Sequence, residues 1–513
     1  MVRKPMNFLN ARPTRLFSVL LAATAFTVSL GDTAAAAAPQ SPGEYLAIAA
    51  DCSSCHTGPG GKPYAGGDEM KTPFGSIYGP NITPDPETGI GNWSKADFVR
   101  ALRMGIGKKG EYLYPAMPYP NYTKLSDADL DALWTYFRSI PPVHNVAPAN
   151  TFRFPFNVRS GIAAWQVLYF KPQRFVAQPA KGAAWNRGAY LVTALGHCDE
   201  CHTPRNLAQA TETKYQLTGA QIEGWYAPDI SNDPLSELSH YTVASLAKFL
   251  KTGEMANNTK SFGPMQEVVH NSLQYLTDSD LHAMALYLKQ QRDHVETPKT
   301  PTATISPAQL AAGKSLYEDN CSSCHQSNGK GRPGQVPALA GNTAVTAPEP
   351  YNVIMPMLQG FAPQGVWGPM ASFASLSNEQ IADIANYVRV AWGNGAEPNA
   401  TLWAVGNWRS IASTPEGTGQ PARICAELSP EVLQPALNEG PAALREAALS
   451  RAKLQQVVRN YRAAQPHSNV AQTIEALSVA YCRAIVSDKV SSAQSGAKVA
   501  NFSQQVAIAL TQN

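Results

Sequence analysis

Five residues, Cys-x-x-Cys-His, recur three times in this 513-residue chain, as Cys52-Ser-Ser-Cys55-His56, Cys198-Asp-Glu-Cys201-His202 and Cys321-Ser-Ser-Cys324-His325. Each copy dictates a short helix and a large planar ligand beside it. Cysteines three apart lie on one side of a helical turn. Two thiols so placed can reach the vinyl groups along one edge of a porphyrin, and the adjacent His then turns its imidazole to the iron. The pattern reads as c-type haem attachment. A zinc site fits less well, since it needs a second Cys pair or a His-x₃₋₅-His to complete four ligands, whereas every pair here carries its own His. A thioredoxin-like dithiol belongs near a βαβ pattern, and none is visible. Six of the eight cysteines are used in this way. Three covalently bound haem c groups are therefore expected, on Cys52, Cys55, Cys198, Cys201, Cys321 and Cys324, with His56, His202 and His325 as iron ligands.

The sequence around each motif repeats as well. Upstream stand Gly43-Glu-Tyr-Leu, Gly188-Ala-Tyr-Leu and Gly313-Lys-Ser-Leu. Downstream, a closing helix is announced by Ser126, Thr277 and Ser377, each followed three residues on by Asp129, Asp280 or Gln380. Gln380 suits a capping box proper and the two Asp less fully. Tyr136, Tyr287 and Tyr387 occupy matching places in these helices. Leu130, Leu133 and Phe137 give the first one buried face, and Leu281, Met284 and Leu288 repeat it in the second. The first two units also share Phe98-Val-Arg-Ala-Leu-Arg-Met-Gly105 and Leu246-Ala-Lys-Phe-Leu-Lys-Thr-Gly253. The expected fold is mainly α. Three tandem cytochrome c-type haem domains occupy 39–145, 183–294 and 308–395, with a connecting segment 146–182 and a Pro-rich linker 295–307. A small helical C-terminal extension, 396–513, follows.

An electron-transfer haem commonly takes a second axial ligand, Met or His. The candidates are Met70, Met104 and Met117; Met255, Met265 and Met284; and Met355, Met357 and Met370. Met117 and Met265 stand at the same distance from Gly105 and Gly253, in loops beside Pro and ahead of the capped helix, and Pro369-Met370 holds that place in the third unit. Met117, Met265 and Met370 are the expected ligands, with Met104 and Met284 read as core. His197, His240, His270 and His282 read as surface or hydrogen-bonded residues. Thioether ligation raises the potential and fills the iron, which suits conduction better than oxygen or peroxide chemistry.

The N-terminus carries Met1-Val-Arg-Lys, an apolar run from Leu16 to Leu30 and alanines from 34 to 38. Residues 1–38 read as a secretory signal peptide, the apolar run being short for a membrane span. A formal charge of +3, from 41 basic and 38 acidic residues, indicates no polyanion or nucleic-acid partner. The best later apolar run, Gly161-Ile-Ala-Ala-Trp-Gln-Val-Leu-Tyr-Phe170, is too short to span and suits a buried or an interfacial helix.

Several stretches are more specific than the haem motifs: Thr72-Pro-Phe-Gly-Ser-Ile-Tyr78, Asn81-Ile-Thr-Pro-Asp85, Gly89-Ile-Gly-Asn-Trp-Ser94 and Leu113-Tyr-Pro-Ala-Met-Pro-Tyr-Pro120. Arg153-Phe-Pro-Phe-Asn157, and Arg187-Gly-Ala-Tyr-Leu191 running into Gly196-His-Cys-Asp-Glu-Cys-His-Thr-Pro-Arg-Asn206, add to them. On these, residues from about 40 to 395 resemble the triheme cytochrome c subunit of membrane-bound bacterial dehydrogenases, a family serving alcohol, gluconate, sorbitol, fructose and aldehyde dehydrogenases. The resemblance implies a catalytic dehydrogenase subunit that oxidises an organic substrate on flavin, pyrroloquinoline quinone or a molybdenum cofactor. Electrons would then pass singly through the haems to ubiquinone, on the periplasmic side of the cytoplasmic membrane, with peripheral membrane association. No Rossmann Gly-x-Gly-x-x-Gly follows a strand, so the substrate-oxidising cofactor belongs on another chain. Two other readings are a free periplasmic carrier, or cytochrome subunit donating to a terminal oxidase, and a peroxidase with an open iron position.

The region after Gly395 departs from the family pattern. It holds a helix-like stretch from Pro441 to Leu454 and another from Val470 to Tyr481, whose Val470, Ile474, Leu477 and Tyr481 form one stripe, as in a small bundle. Cys425 and Cys482 lack a following Cys-His, and in an oxidising compartment they are expected to pair as a disulfide.

Overall fold

A computed structural model of the chain describes residues 41–291, 304–412 and 430–485, apart from a few positions within them, and scattered residues from 498 on. The expected signal peptide, most of the Pro-rich linker and Cys425 lie outside the described residues.

Helices dominate, and the strands described form three two-stranded antiparallel hairpins: Glu69–Thr72 with Gly75–Tyr78, Ala220–Ile222 with Trp225–Ala227, and Glu254–Met255 with Thr259–Lys260. Each unit is closed by one helix crossing. Pro42–Ala49 packs on Asp127–Ser139, Ala183–Tyr190 on Asp278–Gln290, and Pro307–Asn320 on Asn378–Val390. The repeated Gly and Tyr meet at these crossings. A Cβ on Gly43 would lie 2.1 Å from the Ala132 carbonyl oxygen and 2.6 Å from Tyr136 Cβ. On Gly188 it would lie 1.9 Å from the Ala283 oxygen and 2.8 Å from Tyr287 Cβ, and on Gly313 2.2 Å from the Asp383 oxygen and 2.9 Å from Tyr387 Cβ. The backbones approach closely because no side chain separates them.

The closing helices begin where the capping residues placed them. Ser126, Thr277 and Ser377 each accept from the backbone N–H three residues on, and only Ser377–Gln380 completes the reciprocal capping box. Leu130, Leu133 and Phe137 are buried, as are Leu281, Met284 and Leu288. Met104 departs from its reading as core: it is the last residue of the helix Lys95–Met104 and is 37% exposed. The helix Lys95–Met104 buries Phe98, Ala101 and Leu102, and Met104 falls outside that face.

The first two units share one hydrophobic core and are locked by a reciprocal polar exchange. Tyr45 of the first opening helix donates its hydroxyl to Asp280 Oδ2 (2.7 Å) and accepts from the Thr277 backbone N–H (3.2 Å). Tyr190 of the second does the same to the first, donating to Asp129 and accepting from the Ser126 N–H (3.1 Å). Within the second unit, Arg187 holds the same Asp280 by a two-pronged contact, at 2.9 and 2.7 Å. The two units are thus related by a local two-fold. The third docks differently, through the second unit's hairpin: the Tyr226 backbone exchanges two 2.9 Å hydrogen bonds with the Asn352 side chain.

The C-terminal extension has a core of its own, in which Leu477 and Tyr481 are buried and Ile474 is 8% exposed. The stretch from Pro441 to Leu454 is two helices rather than one, Pro441–Ala447 and Arg451–Ala464. Ser450 caps the second, its side chain accepting from the Lys453 N–H, and Leu449 between them is exposed. A Ser hydroxyl able to cap outcompetes continuation of the helix there. Cys482 is buried and disulfide-bonded.

Gly188→Ala forces a methyl group against a backbone carbonyl and is expected to cost about 2 kcal/mol or more, lowering the thermal midpoint. Gly161→Ala, where nothing lies within 4 Å of the added carbon, is the matched control and should leave the midpoint unchanged or raise it.

Candidate functional site

The three motifs fold as short helices, Cys52–His56, Asp199–His202 and Ser322–His325, close after the opening helices, with a π-helical turn, Leu191–Leu195, intervening in the second unit. In each, the His is aimed by one hydrogen bond. His56 Nδ1 lies 2.7 Å from the Pro80 carbonyl oxygen, His202 Nδ1 2.7 Å from that of Pro228, and His325 Nδ1 3.0 Å from that of Pro337. A carbonyl can only accept, so Nδ1 carries the proton and Nε2 is left as a lone-pair donor. Such a partner fixes the tautomer and orientation of a ligating imidazole. Burial lowers all three imidazole pKa values, partly opposed by these hydrogen bonds, which keeps the rings neutral and ready to ligate. Pairing each His with a Pro carbonyl escaped sequence reasoning. A proline follows each motif, but at unequal distances.

The thiols argue against a redox dithiol. Burial pushes Cys52, Cys198 and Cys321 up to about 12, whereas reactive thiols are held low by positive surroundings. Among the described residues no group of three His, Cys, Asp or Glu side chains converges as a metal cluster.

The third site opens onto a cavity. Cys321, Cys324, His325 and Met370 line one cavity, with an otherwise mostly apolar wall. A low-dielectric pocket holding two thiols, an imidazole and a thioether fits a covalently held haem. Met370 is held by a two-way backbone exchange with Phe361, at 3.0 and 2.8 Å. In the first two units Met117 and Met265 pack, half-buried, against the core that also receives Cys52 and Cys198. Met265 does not stand in a loop: it lies in the first turn of the helix Pro264–Asn271, which begins at Pro264 as Pro favours. Of the alternative ligands, Met284, Met355 and Met357 are buried on helices, Met357 lining the third cavity together with Met370, and His240, His270 and His282 are exposed. His197 is half-buried with Nε2 3.2 Å from the Ala50 carbonyl oxygen.

The sites are joined by neighbouring units. Asn121 of the first unit donates to the Asp199 carboxylate inside the second motif, and Asn271 of the second donates to Ser54 Oγ inside the first, at 2.9 Å. Lys260 and Phe262, just before Met265, form part of the third cavity's wall. Burial lowers the Lys260 ammonium to about 8. Asn258 clamps the loop that carries Pro337: its side chain donates to the Val336 oxygen (2.9 Å) and accepts from the Gly334 N–H (3.0 Å), while its carbonyl accepts from the Ala338 N–H (2.9 Å). The extension reaches the same cavity, where Ile474 forms part of the wall.

Comparison with known proteins agrees with this geometry. The cytochrome c family profile matches residues 40–141 and 310–392. The fructose dehydrogenase cytochrome subunit of Gluconobacter japonicus is 38% identical over 386 residues, covering 69% of this chain and 79% of the relative. The cytochrome c subunit of the quinone alcohol dehydrogenase of Gluconacetobacter polyoxogenes is 36% identical over 430 residues, covering 78% and 92%. The gluconate 2-dehydrogenase cytochrome c subunit of Pantoea cypripedii is 37% identical over 415 residues, covering 76% and 94%. The fold and the sites define a c-type cytochrome with covalently bound haem. The chain belongs to the family of cytochrome c subunits of bacterial dehydrogenases, electron-transfer partners of a catalytic subunit.

Asn258→Ala is expected to loosen the loop that aims His325, with a loss of about 1–2 kcal/mol of stability. Redox titration should show one haem potential shifted and the others unmoved.

Proposed function

We propose that the chain binds three haem c groups and carries electrons from a dehydrogenase subunit to ubiquinone on the periplasmic side of the cytoplasmic membrane, where it is peripherally associated. When bound, haem supplies the one-electron chemistry; the chain's residues anchor, ligate and tune it. Cys52 and Cys55, Cys198 and Cys201, and Cys321 and Cys324 are the anchors, in domains spanning 39–145, 183–294 and 308–395. His56, His202 and His325 ligate through Nε2, and Met117, Met265 and Met370 stand opposite them. The catalytic partner oxidises an alcohol, sugar acid, polyol or aldehyde on flavin, pyrroloquinoline quinone or a molybdenum cofactor. The observation that carries the reading is the threefold recurrence of a Cys-x-x-Cys-His helix whose His Nδ1 is held by a proline carbonyl. The names of the relatives support the partner, and the third cavity supports the thioether ligand.

Pyridine haemochrome quantitation after acid-acetone extraction should give three covalent haems per chain; two or fewer would sink the proposed count. Replacing Met117, Met265 or Met370 with His should lower one potential each, while Met284→Leu leaves all of them in place.

The Cys425–Cys482 pairing is proposed to staple the extension, and loop-closure entropy values such a bridge at roughly 4 kcal/mol. Non-reducing peptide mapping should recover the linked pair, and a free thiol at Cys425 would refute it.

A further inference from the structure

The connecting segment between the first two haem units holds a helix with an apolar outer face. Ser160–Tyr169 buries none of its residues. Its one long polar side chain, Gln166, turns inward and donates to the Met104 carbonyl oxygen at 3.1 Å. Trp165, also half-buried, donates through Nε1 to the Ala208 oxygen at 2.8 Å. The outward stripe is Gly161, Ala164, Val167 and Leu168, with Val167 85% and Leu168 70% exposed. A helix meeting water carries its polar residues outward and its apolar ones inward; this one is apolar on both sides, with Ile162, Ala163 and Trp165 half-buried and Val167 and Leu168 turned out. The two inward hydrogen bonds also fix its surroundings, because they set it beside Met104, 37% exposed, and beside Leu207, fully exposed next to Ala208. Apolar groups from three parts of the fold thus lie exposed around this helix, and exposed apolar surface of this kind marks an interaction site.

Charge identifies the occupant. Between Asp131 and Asp199 the chain contains no Asp or Glu, while Arg153, Arg159, Lys171 and Arg174 bracket the helix, all exposed. Trp165 and Tyr169, with ring centroids 5.7 Å apart, add the aromatic type enriched at the headgroup level. Ten residues rise about 15 Å, half a hydrocarbon core, so the helix can lie along a bilayer but not cross it. Among the described residues no helix is long and apolar enough to cross a membrane.

We propose that the 153–174 segment is the surface by which this chain lies on the membrane, with Val167, Leu168 and Leu207 entering the headgroup–acyl boundary and the basic residues engaging anionic headgroups. Apolar burial with electrostatic attraction is the general mode of interfacial binding. The inference deepens the membrane association proposed above by naming its surface, and it rests on that reading.

The test is co-sedimentation of the full haem-loaded chain with phosphatidylcholine vesicles with and without phosphatidylglycerol. The wild type should bind the anionic vesicles, and more weakly at high salt. Val167→Asp/Leu168→Asp should bind at least tenfold more weakly, with haem content and thermal midpoint unchanged. Arg153→Glu/Lys171→Glu should lose the preference for phosphatidylglycerol, and Leu402→Asp/Trp403→Asp, at an exposed apolar pair elsewhere, should bind as the wild type. Undiminished binding by the Val167/Leu168 variant overturns the proposal. So does loss of the dehydrogenase subunit from that variant with vesicle binding intact, which would make the patch a protein interface. Reduction of a water-soluble quinone analogue, assayed in parallel, should stay at the wild-type rate in every variant. Its failure in the wild type would count against the electron-transfer reading, whatever the vesicles show.

Discussion

Everything in this fold depends on backbone touching backbone where an opening helix crosses a closing one. At Gly43, Gly188 and Gly313 the missing side chain lets the crossing close down onto a carbonyl and a tyrosine Cβ. That contact fixes where the motif helix begins, because the motif follows the opening helix within a few residues. It also sets the closing helix, ahead of which the methionine segment runs. The imidazole is then aimed from a third direction, by a proline carbonyl on the loop after the motif. The crossing and the carbonyl act on the motif helix and its His from separate parts of the chain, and neither comes from the motif itself.

The same closing helices explain how the units associate. The aspartates at the third helical position of the first two, Asp129 and Asp280, do not fold back to complete a capping box. They accept from Tyr190 and Tyr45 across the interface. In the third unit the equivalent of those tyrosines is Ser315, too short to reach across, and Gln380 returns to its own cap instead. One helix start thus serves two purposes, sealing its own end where it stands alone and binding a neighbour where a tyrosine is presented. The third unit therefore attaches through hairpins and through Asn258.

Much of this was legible in the sequence, for reasons of locality. Caps, helical stripes and the Cys-x-x-Cys-His turns are written within a few residues, and the closing helices start where Ser126, Thr277 and Ser377 indicated. The misread positions depended on information that local pattern lacks. Met104 shares a repeat with a buried-face helix yet ends it, exposed beside the helix Ser160–Tyr169. Met265 looked like a loop residue beside a proline, but that proline opens a helix. The stretch from Pro441 to Leu454 has unbroken helical composition, and only Ser450 marks the change of helix. Asn258 and the three proline carbonyls act through backbone atoms or across units, and nothing in a linear pattern distinguishes them. The Gly and Tyr repeats were visible as repeats; that they touch required the fold.

Ile474, in the wall of the third cavity, has a consequence for biogenesis. The residue belongs to a helix that follows the third motif by well over a hundred positions, so in a chain emerging N-terminus first it appears long after Cys321 and Cys324. Attachment chemistry at those thiols is least hindered while the extension has yet to emerge, and becomes progressively obstructed once that helix has docked. The first motif also meets a later segment, since Asn271 donates to Ser54 Oγ within it. Maturation at the third motif is therefore a race between ligand delivery and the folding of the chain's own C-terminal extension.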